Sequence, residues 1–267
     1  GVDKNIRVIE VYHTVLRAMN LLIWQAIYLA MAAVILPASP FLFLLGQHTR
    51  RKVGLLPDAA GDRTGVVGEG EVAAKLFVIG ESTVAGLGAR THAQGLAGRF
   101  AEQLSQKLGK AVSWSVVGRN GVTAKRTIDE LVPLMPNEKF DYILVGLGGN
   151  DVMKLSSPRK WRRDMTQLLA ILREKAPDSV IFITNCPMIK YSPAIPHPIK
   201  FLLWELSKLH DANIREFTAG VDRVFYYHQP TNIQVEGFFA DGIHPSEQGY
   251  ADWSAAMMRF FETNYKW

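Results

Sequence analysis

Residues 75–88 read KLFVIGESTVAGLG, an apolar run followed by a glycine and a serine-containing loop. Residues 76–79 form a continuous apolar run that Gly80 ends, which is typical of a short strand buried on both faces. Ser82 follows two residues later, so the pattern places it in a loop at the carboxyl end of a strand. Ligands bind at that edge of an open α/β sheet. Ser82 is therefore a candidate nucleophile, with a turn or helix-capping serine as the simpler alternative.

The rest of the chain alternates short apolar runs with helical patterns. Four further strands are predicted at residues 112–117, 142–145, 180–184 and 224–227. Apolar residues at the 3.6-residue period predict helices over residues 91–108 and 123–135, around residues 161–172, and at the carboxyl end of the chain. Strands that alternate with helices require crossover connections. We therefore expect an α/β fold: a three-layer α/β/α sandwich with a mostly parallel central sheet.

Composition excludes several functional classes. The 267 residues are 48% hydrophobic and 21% charged, which is typical of a folded chain with a substantial core. The net charge of +5 is mild and no stretch interleaves basic with aromatic residues, so no nucleic-acid partner is predicted. A lone cysteine, Cys186, excludes an intrachain disulfide and a CxxC metal site. Since metal-binding histidine spacing, a GxGxxG frame and a Walker lysine are also absent from the sequence, we expect neither a metal nor a cofactor.

The amino-terminal part contains a long apolar segment. No charged residue occurs from residue 18 to residue 45, and residues 19–36 would extend ~27 Å as a helix, close to the hydrocarbon thickness of a bilayer. Pro37 and Pro40 interrupt the segment before a second apolar patch at residues 41–45. Membrane association through residues 18–45 is predicted, with a span favoured over an in-plane or re-entrant helix. A secretory signal peptide and a buried helix pair are the alternatives.

Residues that suit acyl transfer occur at or beyond the ends of the predicted strands. Such a reaction needs a base, a carboxylate that holds the base's tautomer, and donors for the oxyanion. His244 can be the base and Asp241 its partner, in the sequence DGIHP. The backbone N–H groups of Ser82 and Gly121 and the side-chain amide of Asn150, in GGND, can be the donors. Taken singly, each has a simpler explanation as a turn residue, a satisfied loop amide or a packed histidine.

Together these motifs resemble those of the SGNH, or GDSL-type, hydrolase family of esterases and lipases. Ser82, Gly121, Asn150 and His244 match the four named residues of that family in order, and the resemblance covers residue 75 to the carboxyl terminus. It implies a flavodoxin-like sheet and a Ser82–His244–Asp241 catalytic triad. It also implies an oxyanion hole made by Ser82, Gly121 and Asn150. One departure is that the family's usual Gly-Asp-Ser is Gly-Glu-Ser here.

The resemblance and the apolar segment together suggest a substrate class. Residues 187–204, PMIKYSPAIPHPIKFLLW, follow a predicted strand and form either a surface loop leading into a packed helix or an acyl-binding wall. Four residues are the candidate substrate-binding side chains: Ile195, Phe201, Leu202 and Phe238. A lipid-derived acyl ester is the expected substrate, as for a lysophospholipase, lipase or thioesterase. The alternatives are a glycan O-acetylesterase or acyltransferase, and a non-catalytic lipid-binding protein.

Three segments are predicted. Residues 1–52 form a membrane-associated helical segment, residues 53–73 a glycine-rich linker, and residues 74–267 the hydrolase domain. Basic residues cluster directly after the apolar segment at residues 50–52, whereas Lys4, Arg7 and Arg17 are spread before it. The tighter cluster favours a catalytic domain on the cytoplasmic side.

Overall fold

The computed structural model describes residues 2–54 and 56–264. Residues 1, 55 and 265–267, which fall in the predicted N-terminal segment, linker and hydrolase domain respectively, lie outside the described part. The side chains of residues 2–13, 15, 50, 52 and 53 lie outside it as well, and with them most of the basic groups on which the predicted orientation depends.

Six strands and eight α-helices make up the described fold. The strands are β1 (Thr64–Val67), β2 (Val72–Gly80), β3 (Ala111–Gly118), β4 (Tyr142–Gly146), β5 (Val180–Ile183) and β6 (Val224–Tyr226). The helices are α1 (Val2–Ile35), α2 (Ser39–Val53), α3 (Leu96–Leu108), α4 (Ala124–Arg126), α5 (Gly149–Met153), α6 (Pro158–Lys175), α7 (Ile199–Thr218) and α8 (Glu247–Asn264). The helix predicted over residues 123–135 is only partly α-helical, because a π-turn (Thr127–Leu131) and a 3₁₀ turn (Val132–Leu134) follow α4.

The sheet confirms the predicted fold class. Its strand order is β1-β3-β2-β4-β5-β6, and all neighbours are parallel except β1, which pairs antiparallel with β3 at the edge. The five parallel strands, counted along the chain, lie in the order 2-1-3-4-5, which is the flavodoxin-like arrangement. The order of strands reverses at β2, so the crevice for a ligand lies beside the carboxyl end of β2.

The linker predicted over residues 53–73 is partly wrong. Its residues 64–67 form β1, and β2 begins at Val72. Glycines suggested a flexible connection, but a side chain at Gly65 would lie 2.6 Å from the ring of Trp114 on the neighbouring strand. The glycine is therefore compatible with a strand that packs closely on a tryptophan, a contact that the local sequence does not reveal.

Two apolar layers cover the sheet, one on each face. Because successive side chains of a strand point to opposite faces, Phe77 and Ile79 pack against α6 and α7, whereas Leu76 and Val78 pack against α3 and α8. Both layers bury large aromatic side chains, among them Trp161 on the α6 side. The two layers leave free only the ends of the strands, and the candidate catalytic residues lie at their carboxyl ends.

Helix α1 packs on the outside of α6 and α7 and forms an additional layer. Within the described residues, Leu16–Thr49 is the stretch long and apolar enough to cross a membrane, and its most apolar part has no buried residue. A signal sequence would meet the same criterion of length and composition.

Candidate active site

Ser82 lies in the tight turn that follows β2. The carbonyl of Glu81 accepts hydrogen bonds from the backbone N–H groups of Val84 and Ala85, both at 2.9 Å, which bends the chain sharply after the strand. The carbonyl of Ser82 accepts one from Leu87 at 3.1 Å. The serine is only 7% exposed, and its backbone N–H makes no hydrogen bond to any residue in 2–54 or 56–264. The turn thus presents a hydroxyl and a free N–H together.

His244 and Asp241 form a continuous hydrogen-bonded chain with Ser82. The His244 Nε2 atom lies 3.1 Å from Ser82 Oγ, and His244 Nδ1 lies 2.8 Å from Asp241 Oδ2. The second carboxylate oxygen, Asp241 Oδ1, accepts the backbone N–H groups of Ile243 at 2.8 Å and His244 at 2.7 Å. One aspartate therefore fixes both the loop backbone and the imidazole orientation.

Asp241 stays ionised in this loop. Burial opposes its charge, but the hydrogen bonds from the His244 ring and from the two backbone N–H groups outweigh burial and lower the pKa of Asp241. An ionised Asp241 accepts a hydrogen bond from the Nδ1–H group of His244, so His244 Nε2 is left as the acceptor that faces the Ser82 hydroxyl. This is the tautomer that a general base requires.

Glu81 connects the serine turn to the loop after β4. Its Oε1 accepts the backbone N–H of Gly149 at 2.6 Å, and its Oε2 accepts the backbone N–H and the side-chain Nδ2 of Asn150 at 2.7 and 2.6 Å. A side chain at Gly149 would lie 2.8 Å from Glu81 Oε1, so the glycine allows this close approach. Burial raises the pKa of Glu81 to about 7, although the two backbone hydrogen bonds act to lower this pKa. Glu81, although one methylene longer than the family's aspartate, thus accepts three hydrogen bonds with its two carboxylate oxygens.

Asn150 and Gly121 lie on either side of the serine turn. One N–H of the Asn150 side chain is used by Glu81, and the amide carries a second N–H. Gly121, with φ +82°, has open space where a side chain would be. Its carbonyl accepts Lys154 Nζ at 2.6 Å and Arg126 at 3.2 Å, while its backbone N–H has no hydrogen-bond partner in the described ranges.

A cavity of about 1270 Å³ opens at this edge of the sheet. Its lining includes Ser82, His244, Asp241, Gly121 and Asn150. The five predicted catalytic and oxyanion residues therefore share one cavity. Its volume is somewhat above the range typical of pockets for small ligands.

Two of the four predicted substrate-binding residues line this cavity and two do not. Ile195 and Phe238 belong to its wall, but Phe201 is 57% exposed and neither Phe201 nor Leu202 lines it. The reason is the start of α7: successive side chains turn by about 100° around a helix, so Ile199 faces the cavity and the two residues after Lys200 point elsewhere.

Several residues that the structure places at the site are not predictable from the sequence. One of them is Glu81, because its three hydrogen-bond donors belong to a loop that the sequence does not place beside it. Gly46 and Thr49 of α2 also line the cavity, as does Met153 at the end of α5. The only sequence signal for such contacts was the apolar character of α2, which pointed to a membrane instead.

Comparison with known proteins identifies the family. The sequence model of the GDSL-like lipase/acylhydrolase family matches residues 78–251, about two thirds of the chain. The chain belongs to this family. It is accordingly a carboxylic ester hydrolase, and the recognition of an SGNH/GDSL-type hydrolase from its motifs is confirmed. No curated protein matches the sequence.

Solved structures of similar fold come from several esterases and lipases. The lipase Lip_vut3 from a goat rumen metagenome has a TM-score of 0.54 and 16% identity, covering 72% of this chain and 98% of its own. The esterase EstA from Pseudoalteromonas sp. has a TM-score of 0.51 and 14% identity, covering 72% and 98%. A family two carbohydrate esterase from Clostridium thermocellum has a TM-score of 0.53 and 14% identity over 73% of this chain, which spans only 65% of that protein.

Proposed function

We propose that this hydrolase is a membrane-associated serine esterase that cleaves lipid-derived acyl esters. Ser82 is the nucleophile, His244 the general base and Asp241 its orienting partner. The observation that carries the proposal is the unbroken chain of hydrogen bonds from Ser82 Oγ through the His244 ring to the Asp241 carboxylate. Whether the catalytic domain is cytoplasmic stays a prediction from the basic residues alone.

Acylation begins with attack by Ser82 Oγ on the carbonyl carbon of the ester. His244 Nε2 takes the hydroxyl proton as the new C–O bond forms, and ionised Asp241 stabilises the resulting imidazolium. The tetrahedral intermediate collapses when the bond to the alcohol oxygen breaks. His244 then gives its proton to that oxygen, so an alcohol leaves and an acyl-Ser82 ester remains.

Deacylation repeats these transfers with water. His244 Nε2 removes a proton from a water molecule as its oxygen attacks the acyl carbon, and a second tetrahedral intermediate forms. This intermediate expels Ser82 Oγ, which recovers the proton from His244. The products are the carboxylic acid and the free enzyme.

Three donors stabilise the oxyanion in both intermediates: the backbone N–H groups of Ser82 and Gly121 and the second N–H of the Asn150 amide. Support comes from their free hydrogen-bonding capacity, because the N–H groups of Ser82 and Gly121 are unpaired within residues 2–54 and 56–264. Donors fixed before the reaction need no reorganisation as charge develops. Glu81 holds Asn150 in place, so it is a positioning residue.

The cavity wall supports an acyl chain as substrate. Apolar side chains contribute to it from three parts of the chain: Ile195 and Ile199 around the start of α7, Phe238 and Phe239 before Asp241, and Met153. Helix α2 reaches the same cavity through Gly46 and Thr49. A lysophospholipid, an acylglycerol or an acyl thioester fits these surroundings better than a free sugar ester.

Ser82→Ala tests the chemistry. We expect the variant to lose hydrolysis of short p-nitrophenyl esters by at least about 10³-fold while its circular dichroism stays unchanged, because the nucleophile is removed without disturbing the core. Ser115→Ala is the matched control, since its buried hydroxyl has no hydrogen-bond partner in the described residues and lies on β3. Undiminished turnover by Ser82→Ala would refute the assignment.

A glycan O-acetylesterase or acyltransferase is the second candidate. It is supported by the similar fold of the carbohydrate esterase and by polar residues of the cavity wall, among them Asn120, Asn232 and Gln234. Turnover of p-nitrophenyl esters of two, eight and sixteen carbons distinguishes the two candidates. A lipid esterase gains activity with acyl length up to the capacity of the cavity, whereas a deacetylase accepts acetyl alone.

A non-catalytic lipid-binding role on the same fold is the remaining alternative. A fluorophosphonate probe decides it, because such probes react only with an activated serine. Labelling of the wild-type protein that disappears in Ser82→Ala supports catalysis. Absence of labelling in the folded wild-type protein would favour the binding role.

A further inference from the structure

One stripe of α1 is attached to the catalytic domain by polar contacts. The side chain of Asn20 donates to Glu216 Oε2 at 2.6 Å, and the Arg162 guanidinium lies over the Trp24 ring at 5.6 Å from its centroid. At the two ends of the stripe, Arg17 donates to the carbonyl of Ala219 and Tyr28 donates to that of Leu155. The attached part, residues 17–28, is ~16 Å long.

These contacts are unsuited to hydrocarbon. Arg162 also forms an ion pair with Glu216 at 3.0 Å, and the backbone N–H of Arg159 donates to Gln25 on α1. If residues 19–36 crossed a bilayer, more than half of the crossing would carry this charged surface of α6 and α7 into the hydrocarbon core. Charged side chains are costly there unless they face a polar interior.

The other end of the apolar stretch returns to the same domain. Gly46 and Thr49 of α2 line the cavity that contains Ser82, and a side chain at Gly46 would lie 3.9 Å from Ile199 on α7. Arg17 and Thr49 thus both adjoin one folded unit. A single crossing separates its two ends by the ~30 Å hydrocarbon layer and places them on opposite sides of the membrane.

The faces turned away from the domain are apolar and exposed. Ten large hydrophobic residues between positions 19 and 44 are at least 43% exposed: Met19, Leu22, Ile23, Ile27, Leu29, Val34, Leu36, Phe41, Phe43 and Leu44. Monomeric soluble proteins rarely expose so many contiguous apolar side chains. The sequence adds three basic residues, Arg50, Arg51 and Lys52, directly after this band, which suits the anionic headgroups of a bilayer surface.

We propose that α1 and α2 bind one leaflet of a lipid bilayer without crossing it, and that substrate enters the cavity from that leaflet along α2. This inference rests on the proposed function, and it favours a monotopic attachment over the span expected from the sequence. The half-buried stripe of α2, which includes Leu42, Leu45, Gly46 and Thr49, runs from the apolar band to the cavity. It provides an apolar path for an acyl chain from the lipid to Ser82.

Cysteine labelling of the full chain tests the topology. The wild-type protein is the blank, because Cys186 is fully buried. Ala18→Cys and Gln47→Cys are exposed positions at the two ends of the band, and Gln106→Cys is a reference on the catalytic domain. The purified variants are added to preformed vesicles of phosphatidylcholine with a minority of phosphatidylglycerol, and a membrane-impermeant maleimide is then added outside.

A monotopic attachment predicts that all three cysteines react from outside to the same extent as after detergent lysis. A span predicts that Ala18→Cys is protected until lysis while Gln47→Cys and Gln106→Cys react. Protection of Ala18→Cys alone would therefore overturn the proposal.

A double variant tests whether the exposed apolar side chains of α2 bind lipid. Phe41 and Phe43 are 62% and 64% exposed and do not line the cavity. We expect Phe41→Glu with Phe43→Glu to reduce co-flotation with the vesicles by at least about tenfold, because two aromatic anchors are lost. Gln47→Glu with His48→Glu adds the same two carboxylates to α2 without removing an aromatic ring, and it should retain most of the binding. Unchanged flotation of the phenylalanine variant would overturn the proposal.

Two substrates separate this proposal from the proposed chemistry. The phenylalanine variant should keep wild-type turnover of a soluble short ester and lose at least about tenfold in turnover of a long-chain ester embedded in vesicles. If the phenylalanine variant turned over both substrates as fast as the wild type does, entry from the leaflet would be contradicted and the Ser82 chemistry would be left intact. Loss of the short-ester activity in Ser82→Ala tests that chemistry independently of any membrane.

Discussion

Replacing Glu81 by glutamine tests whether the buried carboxylate beside the nucleophile titrates near neutral pH. Glu81 is almost fully buried and accepts three hydrogen bonds from Gly149 and Asn150. Burial nonetheless raises its pKa to about 7 from the usual 4.5. Glutamine has nearly the same shape and carries no charge at any pH, so the variant removes the titration and one acceptor.

The expected change in unfolding free energy follows from the raised pKa of Glu81. Below pH 4.5 the carboxyl group is protonated in both the folded and the unfolded chain. Between pH 4.5 and about 7 only the unfolded chain ionises, so folding takes up a proton and stability falls as pH rises. Above about pH 7 the loss is complete and amounts to about 3 kcal/mol. The raised pKa of Glu81 therefore destabilises the folded state on the alkaline side.

The assay is urea unfolding of both proteins in detergent micelles at half-unit steps from pH 4 to 8, followed by tryptophan fluorescence. All other titrating groups are shared, so the difference in unfolding free energy between wild type and Glu81→Gln isolates Glu81. We expect the wild type to lose about 3 kcal/mol relative to the variant across this range. A difference that is independent of pH, or that grows in favour of the wild type, would refute the reasoning.

Two further predictions concern the triad and the acid side of the stability curve. Asp241→Asn should lower kcat by about 10² to 10⁴-fold with folding retained, because the amide cannot hold His244 in the required tautomer; a kcat within a factor of three would contradict the role of Asp241. Burial lowers the pKa of His210 to about 4 from 6.5, so the wild type should lose about 3 kcal/mol of stability as pH falls from 6.5 to 4. His210→Gln should not show this loss in urea unfolding, and an identical acid transition in both proteins would disprove the assignment.

The strands were predictable because a strand covered on both faces is a continuous apolar run. Residues 76–79 and 142–145 therefore identify β2 and β4 to within a few residues, although β2 begins earlier, at Val72. The short edge strand β1 has no such signal. Its pattern alternates between exposed and half-buried residues, and only the packing of Gly65 on Trp114 reveals why a glycine belongs there.

The catalytic residues of the candidate site could be predicted from the sequence, but the hydrogen bonds around them and the lining of the cavity could not. The chemical roles that acyl transfer requires and the resemblance to the GDSL-type family together were enough to select Ser82, Asn150 and His244. The role of Glu81 depends on the distance between the loops after β2 and β4, which cannot be predicted from the sequence of either loop. The exclusion of Phe201 from the cavity depends on the residue at which α7 begins, since a shift of one residue rotates every side chain of a helix by about 100°.

The strand order explains why this serine has donors on both sides. In a 2-1-3-4-5 sheet the first parallel strand, β2, lies between the second and the third, so the loops after β3 and β4 lie on either side of Ser82. Gly121 comes from the first loop and Asn150 from the second. The same reversal opens the crevice in which the acyl group must lie. Because Gly46 and Thr49 of α2 line this cavity, a leaflet held by α1 and α2 would meet the cavity that contains Ser82.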